Sequence, residues 1–213
     1  MQAAGNGSDI ESYDVEIQGG SGNFAGSDTC AGDDPQVTTC SVAYTELRGL
    51  DFQLTLGETI VVRVRAVNEI GPGSYSALND SGDILRTEPL SSPDPLSEGP
   101  ATNDSQIEVT WTPLVDPYTG YDTITKYQIF WDNGSDGTDW APIATQELGS
   151  ITYSYTKADG ISSGDPYKFK FRAFNQHGQG LDSPVATIYA SARPEAPPSA
   201  TTSVTGTDLV IAW

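Results

Sequence analysis

Apolar and polar residues alternate with a period of two along six stretches of this chain. They read SYDVEI (12–17), TIVVRVRAV (59–67), SQIEVTW (105–111), TKYQIFW (125–131), YKFKFRAF (167–174) and TDLVIAW (207–213). Successive side chains of a β-strand point to opposite faces, so the pattern predicts half-buried strands. No long window shows the apolar period of about 3.6 residues that a helix needs. The connections are short, and we therefore predict an all-β chain of antiparallel strands.

Two of these stretches share one frame. VRVRAVNEIGPG starts at residue 62 and FKFRAFNQHGQG at residue 169, which is 107 residues later. A second echo is a Pro-rich lead-in followed by a strand that ends in Trp, at Trp111 and again at Trp213, 102 residues apart. A period near 100 residues with about seven strands in each is typical of an array of β-sandwiches.

Composition supports folded cores and argues against one class of partner. Apolar residues make up 37% of the 213 residues, with ten Tyr and four Trp. The formal net charge is −19, and so acidic a surface repels phosphate backbones, so we predict no nucleic-acid binding. No apolar run reaches the length of about 18 residues that a membrane-spanning helix requires, so no membrane span is predicted in this segment.

The order of these signals resembles the fibronectin type III domain. In the second unit the matching residues are Trp111, Tyr127, Ile129, Trp131, Ile161, Gly164, Tyr167, Phe169, Phe171, Ala173, Asn175, Gly178, Gly180 and Ser183. The resemblance implies that Tyr167 forms the "tyrosine corner", in which its hydroxyl ties a turn to the backbone. In the first unit Leu54 and Gly57 are in place, but Ile60 stands where Tyr is expected. That side chain can fill a core, but it cannot make the corner hydrogen bond.

The resemblance implies an all-β chain of tandem fibronectin type III-like (immunoglobulin-like) antiparallel β-sandwiches. We divide it into residues 1–88, a unit lacking its first two strands; 89–193, a complete domain; and 194–213, the first two strands of a further unit. Two explanations fit this division, in which the first and last units are incomplete. The chain is one window of a longer array, or the terminal strands of one copy complete the first unit of the next, as in donor-strand polymers. Both predict a filament or string.

Cys30 and Cys40 are the two cysteines, ten residues apart in SDTCAGDDPQVTTC. The spacing fits no zinc pattern, and the one His of the chain cannot supply the missing ligands. We predict a local disulfide, which would stabilise the fold by about 2–3 kcal/mol. Two free thiols in a reducing compartment are the alternative.

The chain offers little for catalysis. The sole candidate base is His177 in NQHGQG. It lies at a turn position where the two echoed stretches carry different residue types. The Gly-x-Gly pairs at 71–73 and 178–180 lead into strands and not into a helix, so they predict no phosphate site. We predict no enzyme, no catalytic residue, no cofactor and no metal site. DNGSDGTDW (132–140) faintly resembles a calcium loop but lacks its final Glu, so an acidic turn is favoured and calcium stays open.

Four Asn-x-Ser sequons suggest an extracellular glycoprotein. They begin at Asn6, Asn79, Asn103 and Asn133, and none is followed by Pro. All four fall in predicted loops or at strand edges, as glycosylation requires. Coincidence in a chain rich in Ser and Thr is the alternative.

Five of the ten basic residues form a stripe on the outward face of the two echoed strands: Arg63, Arg65, Lys168, Lys170 and Arg172. On the neighbouring strand Asp14, Glu16 and Gln128 should also face outward. Cross-strand pairs of opposite charge contribute about 0.2–1 kcal/mol each, which favours a solvated, paired face. A docking surface for an acidic neighbouring repeat is the alternative.

Together these features predict a structural or adhesive segment of an extracellular repeat protein, part of a filament or surface fibre. Its Pro-containing linkers, 89–100 and 193–198, would set its stiffness. The predicted partners are neighbouring repeats or copies of the chain itself, and glycans. One alternative is a carbohydrate- or peptide-binding module with the loop 18–43 and an exposed Trp140 as its site. Another is an accessory module of an extracellular hydrolase.

Overall fold

The computed structural model describes residues 7–79, 81–147, 153–192, 194 and 196–213. Every pair of neighbouring strands in this part of the chain is antiparallel, which confirms the predicted fold class. The strands are β1 (Ile10–Gln18), β2 (Phe24–Gly26), β3 (Val62–Asn68), β4 (Gly71–Pro72), β5 (Ser97–Glu98), β6 (Ile107–Thr110), β7 (Lys126–Trp131), β8 (Ala141–Glu147), β9 (Ser154–Lys157), β10 (Pro166–Asn175), β11 (Gly178–Gln179), β12 (Ala186–Tyr189), β13 (Thr201–Thr205) and β14 (Asp208–Ala212). The described residues also form a 3₁₀ turn (Asp28–Cys30) and a four-residue helix α1 (Tyr44–Leu47).

The second unit is a two-layer sandwich. One sheet has the order β5-β6-β9, and the other has the order β11-β10-β7-β8 with β12 also paired to β10. The two inner faces form one core, whose buried residues are Leu96, Ile107, Val109, Trp111, Tyr127, Ile129, Trp131, Tyr167, Phe169, Phe171, Ala173, Ala186, Ile188 and Ala190. Alternation therefore predicted the buried face of β6, β7 and β10 correctly.

An aromatic cluster fills the middle of this core. The Trp111 ring lies 5.8 Å from that of Tyr127 and 6.1 Å from that of Phe171, measured between centroids. Tyr127 and Phe171 are themselves 5.8 Å apart and meet edge to face. Such pairs add about 0.5–1.5 kcal/mol each beyond the area they bury. The strand that ends in Trp thus joins the two sheets.

The tyrosine corner has the geometry that the resemblance implied. The hydroxyl of Tyr167 accepts a hydrogen bond from the backbone N–H of Ser162 at 2.8 Å and donates one to the carbonyl of Gly160 at 3.2 Å. In the first unit the equivalent residue, Ile60, packs against that unit's own apolar core instead.

The first unit has a single sheet, of order β2-β1-β3-β4. One end of its inner face is covered by a small core of Ile17, Leu47, Phe52, Leu54 and Leu85. Helix α1 supplies Leu47 to this core. Over the other end, the described residues place no second sheet. Since Arg63 and Arg65 are predicted to face outward, alternation places Val64 on the inner face, where it does lie. It is nevertheless 38% exposed, because only a loop covers it.

Strands β13 and β14 form a separate hairpin, paired from Thr201↔Ala212 to Thr205↔Asp208. Every residue of both strands is exposed, so neither face of the hairpin is covered. The large apolar side chains that the hairpin exposes are Val204, Leu209, Val210 and Ile211. Trp213, which follows β14, is also exposed. A two-stranded hairpin of this kind is marginally stable on its own.

Candidate functional site

The loop between β2 and α1 is held down by a disulfide and by hydrogen bonds to the helix. Cys30 and Cys40 are joined, with their Cα atoms 5.3 Å apart, and Cys30 is buried. The hydroxyls of Ser27 and Thr29 donate to the Glu46 carboxylate on α1, at 2.5 and 3.0 Å. Loop and helix therefore form one structural piece.

This disulfide loop encloses a cavity of about 520 Å³ against the inner face of the first sheet. Tyr13, Val15 and Val64 form the sheet side, and the loop side includes Cys30 and Val37. The backbone N–H of Tyr13 donates to the Gly32 carbonyl at 2.8 Å, which anchors the loop to β1. The Tyr13 hydroxyl is buried and finds no hydrogen-bond partner among the described residues. The cavity therefore has an apolar floor on its sheet side, next to a buried hydroxyl that has no partner among the described residues.

Trp140 was predicted to be exposed, and the structure corrects this. Its side chain is half-buried, because the ammonium group of Lys170 lies over the indole ring, 4.2 Å from its centroid. Trp140 also does not line the cavity beside the disulfide loop. The two parts of the predicted ligand site, Trp140 and the loop 18–43, are thus not brought together there.

The basic stripe is neutralised within the chain. Arg63 pairs with Glu16 at 2.5 Å and Arg65 with Asp14 at 2.7 Å, across β1 and β3. On the second unit Lys168 pairs with Asp136 at 2.6 Å, and Asp182 accepts from both Lys170 (2.8 Å) and Arg172. All five basic residues thus have acidic partners, which favours the paired, solvated face over a docking surface for an acidic repeat.

Aromatic rings extend the stripe on the first unit. The Arg63 guanidinium lies between the rings of Phe24 and Tyr75, 4.0 Å from each centroid, and Arg65 also lies over Tyr75 at 4.6 Å. The Tyr75 hydroxyl donates to Glu16 at 2.7 Å. Cation–π contacts contribute about 0.5–1 kcal/mol at such exposed sites. The stripe is therefore a stabilising feature of the sheet.

We expect the pKa of Glu16 to rise toward its ordinary value of 4.5 when Tyr75 is replaced by phenylalanine. The Tyr75 hydrogen bond is the largest cause of the lowered pKa; burial opposes it, and Arg63 and Arg65 add to it. A depressed pKa stabilises the folded state above the unfolded pKa, and this stability is lost as the pH falls through the folded pKa. The variant should therefore lose less stability on acidification below about pH 4.5. Carboxyl NMR titration measures the shift directly.

Asp83 serves as the internal control in the same titration. Its pKa is also lowered, chiefly by a hydrogen bond from Arg86, and Tyr75 is not among the causes. Its titration should therefore stay unchanged in the Tyr75→Phe chain. An unmoved Glu16 pKa would contradict the role given to the Tyr75 hydroxyl.

The acidic segment 132–140 is built around a buried carboxylate. Asp132 is 1% exposed, and its two oxygens accept the backbone N–H groups of Gly134 (3.1 Å), Lys168 (2.9 Å) and Gly137 (2.9 Å). Asp136 is engaged by Lys168. Within the described ranges no three His, Cys, Asp or Glu side chains gather as a metal group would require. The geometry is that of a turn organised by an Asp.

A joint between the two units is a feature that sequence reasoning missed. The backbone N–H groups of Thr87 and Leu90 donate to the carbonyls of Gly120 and Tyr118, both at 3.0 Å. The side-chain amide of Asn175 donates to the carbonyls of Thr87 (2.7 Å) and Thr119 (3.0 Å). The segment 87–90, where the two units meet, is therefore hydrogen-bonded to a loop of the second unit.

The same Asn closes the turn of the repeated frame. Its side-chain oxygen accepts the backbone N–H groups of His177 and Gly178, at 2.9 and 3.2 Å. Gly178 has φ +149°, and Gly71, its equivalent in the first unit, has φ +135°, a region in which glycine is favoured. The shared Asn-x-x-Gly of the two stretches thus has a local structural cause. The repeated Asn is the feature of the sequence that could have indicated this turn.

His177 and Tyr121 add contacts to the joint. Nε2 of His177 lies 2.9 Å from Oδ2 of Asp122, and its ring packs against Tyr44 of the first unit at 5.7 Å. The Tyr121 ring lies so close over Gly57 that no side chain fits at that position. His177 therefore lies at an interface between the units.

The sequons differ in their surroundings. Asn6 lies outside the described residues. Asn79 is exposed, but its carboxamide oxygen accepts the backbone N–H of Val62 at 2.5 Å. The side-chain oxygen of Asn103 accepts the N–H groups of Ser105 and Gln106 in a turn. Asn133 lies exposed at φ +53° in the acidic loop. Glycosylation at the four positions stays a prediction.

Among the described residues, no helix has the length and apolar character that crossing a membrane requires.

Comparison with known proteins matches part of the chain to a family. The profile of the Fibronectin type III domain matches residues 91–189. Protein sidekick-2 of Gallus gallus is 26% identical over 171 residues, which is 71% of this chain and 8% of that protein. Neogenin of Homo sapiens is 31% identical over 142 residues, or 65% of this chain and 9% of neogenin. The chain therefore spans less than a tenth of the length of these two relatives.

Among solved structures, the crystal structure of chicken CNTN1 FN1-FN3 domains is similar to this chain. Its sequence is 19% identical, the match covers 99% of this chain and 67% of that one, and the TM-score is 0.45.

Proposed function

Residues 91–189 are a fibronectin type III domain, and from this premise we propose that the chain is a structural or adhesive segment of an extracellular repeat protein. In this role the chain is a spacer within a filament or surface fibre. We propose the units 1–88, 89–193 and 194–213 as its divisions. The relatives are adhesion proteins of the cell surface or extracellular space, which supports an adhesive segment at such a location.

The joint is the observation that carries the proposal. A spacer transmits position only if successive units keep a fixed orientation, and independent domains joined by a free linker do not. Here the junction at 87–90 is fixed by the backbone hydrogen bonds of Thr87 and Leu90 and by the buried amide of Asn175. Such buried polar contacts rigidify a structure when their groups are satisfied.

The disulfide and the sequons are consistent with an extracellular location. Disulfides persist in oxidising compartments, and Cys30–Cys40 closes a loop of the first unit. We propose glycans at the exposed sequons of the fibre, and an intact mass from the native source would count them. A carbohydrate-binding role is less well supported, since Lys170 covers the ring of Trp140.

We expect the Asn175→Ala substitution to loosen the spacer. The variant removes the hydrogen bond to the Thr87 carbonyl of the first unit and that to the Thr119 carbonyl of the second unit's own loop. It also leaves the backbone N–H groups of His177 and Gly178 without their acceptor. Small-angle X-ray scattering at dilute concentration should show a broader range of end-to-end lengths than the wild type. The melting of the sandwich core, followed by Trp fluorescence, should change far less than the scattering.

Gln176→Ala is the matched control. Gln176 is the next residue in the same turn, is exposed, and bonds only Asp122 among the contacts described, at 2.6 Å. Its scattering should match the wild type. A wild-type chain that already samples a broad range of lengths would contradict the spacer role.

A further inference from the structure

We propose that the segment after the second unit is a site of O-linked glycosylation, with sugars on Ser199, Thr201 and Ser203. The sugar comes from a nucleotide-activated donor, through a transferase of the secretory pathway. The proposal rests on the proposed function in one respect, because a chain meets the transferases of that pathway only on its way out of the cell. It is independent of the spacer role and of the four Asn sequons.

The composition of this segment differs from that of the rest of the chain. Residues 196–207 read APPSATTSVTGT, in which six of the twelve are Ser or Thr and none is charged, although the whole chain has a net charge of −19. Stretches rich in Ser and Thr that also contain Pro are typical of O-glycosylated stalks. In the aligned lead-in of the second unit, residues 98–101 read EGPA where this segment has ATTS at 200–203. The cluster of hydroxyls is therefore particular to this segment.

The backbone of the segment is extended, as an acceptor for a transferase should be. Pro197 and Pro198 come directly before Ser199, and each proline ring fixes φ at about −65°. The residue before a proline is also confined to the extended region. Residues 196–200 form no helix or turn, and β13 continues the extended backbone from residue 201. Such a segment can enter an active-site cleft without unfolding of the neighbouring domain.

The register of the hairpin decides which hydroxyls face away from the core side. Thr202 is paired with Ile211, and directly opposite residues lie on the same face of a sheet. Ile211 aligns with Val109, which is 0% exposed in the complete domain, so this face is the core side. Side chains alternate along a strand, and Thr201 and Ser203 therefore lie on the outer face. Their accessibility does not depend on what covers the apolar side.

The proposed hydroxyls are also free to react, unlike those at the start of the preceding linker. All three are exposed, and none takes part in a hydrogen bond within the described ranges. In the linker 89–100, by contrast, Ser91 donates to the carbonyl of Asp182 at 2.7 Å. Ser92 is buried and donates to the carbonyl of Asp94 at 2.9 Å. These two serines are therefore natural controls.

The modification is a glycosyl transfer. The hydroxyl oxygen attacks the anomeric carbon of the donor sugar, and the bond from that carbon to the nucleotide phosphate breaks. The nucleoside diphosphate leaves, and the hydroxyl proton passes to the transferase or to water. Each attached sugar is bulky and strongly solvated. Sugars on successive outward positions would therefore keep the segment extended.

Peptide mapping of the protein from its native source tests the proposal. Cleavage after Glu195 by a Glu-specific protease releases residues 196–213, which contain no Asn, so any sugar on this peptide is O-linked. We expect sugar on the peptide, located at the three outward hydroxyls by fragmentation that keeps the glycosidic bonds intact. Ser91 and Ser92 should be unmodified in the same digest.

Variants of the 213-residue chain, secreted from cells that modify the wild type, provide the matched comparison. A chain with Ser199→Ala, Thr201→Ala and Ser203→Ala together should lose nearly all sugar from residues 196–213. Thr202→Ala, on the core side, should keep it. Equal loss in the two chains would overturn the proposal, because the sugar would then not follow the outer face.

The state of the Asn sequons separates the two possible failures. A bare 196–213 peptide beside glycosylated sequons would overturn this proposal and leave the extracellular location standing. A bare peptide together with bare sequons and free thiols at Cys30 and Cys40 would overturn the location as well. The spacer role is tested by scattering and is affected by neither result.

Discussion

Replacing Phe171 by alanine is expected to lower the free energy of unfolding of the second unit by about 3–5 kcal/mol. Phe171 is 2% exposed and touches the rings of both Trp111 and Tyr127 in the aromatic cluster. Its removal deletes a large apolar side chain and leaves a cavity that a two-sheet core closes poorly. Urea unfolding followed by Trp fluorescence measures the loss.

Val64→Ala is the matched variant at the equivalent position of the first unit. Val64 loses little burial on truncation because it is already 38% exposed. We expect its cost to stay below about 1 kcal/mol in dilute, unassociated chain. The difference between the two sites measures what a second sheet contributes. Equal costs would contradict the description of Val64 as only partly covered.

The second large effect is expected for Asp132→Ala, at about 3 kcal/mol. This change leaves three backbone N–H groups, of Gly134, Gly137 and Lys168, without the carboxylate that accepts them. Two of these donors lie in the loop and the third lies on β10. The substitution therefore loosens the loop and its attachment to the sheet together. Thermal and urea unfolding of the chain report the cost.

Two further variants make this prediction specific. Asp132→Asn keeps one acceptor oxygen, so its cost should fall between those of the wild type and the alanine variant. Asp139→Ala changes an exposed residue of the same loop and should stay within about 0.5 kcal/mol of the wild type. If all acidic residues of the loop were equivalent in their cost, the role of Asp132 as organiser would be wrong.

Much of the second unit could be predicted from the sequence, because its strands and its tyrosine corner are each specified by residues close together in the chain. The alternation on β10 places Tyr167, Phe169 and Phe171 on the core side, and the structure buries all three. The tyrosine corner followed from the family's motif at Tyr167. The cross-strand ion pairs of the first unit could also be predicted, since Asp14 and Glu16 lie on the strand next to Arg65 and Arg63.

The first unit was harder to predict, since alternation shows that a face is apolar and not what covers it. Val64 lies on the predicted side, yet its exposure depends on a layer that no local pattern reports. Helix α1 also escaped prediction because four residues give no helical period, and its Leu47 is held by the small core.

The partners of the basic stripe on the second unit were missed for a related reason. Asp136 and Asp182 reach Lys168, Lys170 and Arg172 from loops, at positions that strand periodicity does not describe. The joint was missed because it combines a linker and two loops that are distant in sequence. The repeated Asn was visible in both stretches, but only its fixed neighbours in space explain it.

The hydrogen bonds of Asn175 have a consequence for how such arrays change over generations. The amide holds the end of the first unit through a main-chain carbonyl, that of Thr87, a group that every residue type possesses. A neighbouring unit with an unrelated side-chain sequence therefore presents the same acceptor. Modules joined in this way are interchangeable. One can be duplicated, lost or shuffled with no change to the joint, provided that the module on its C-terminal side keeps its own Asn and Gly.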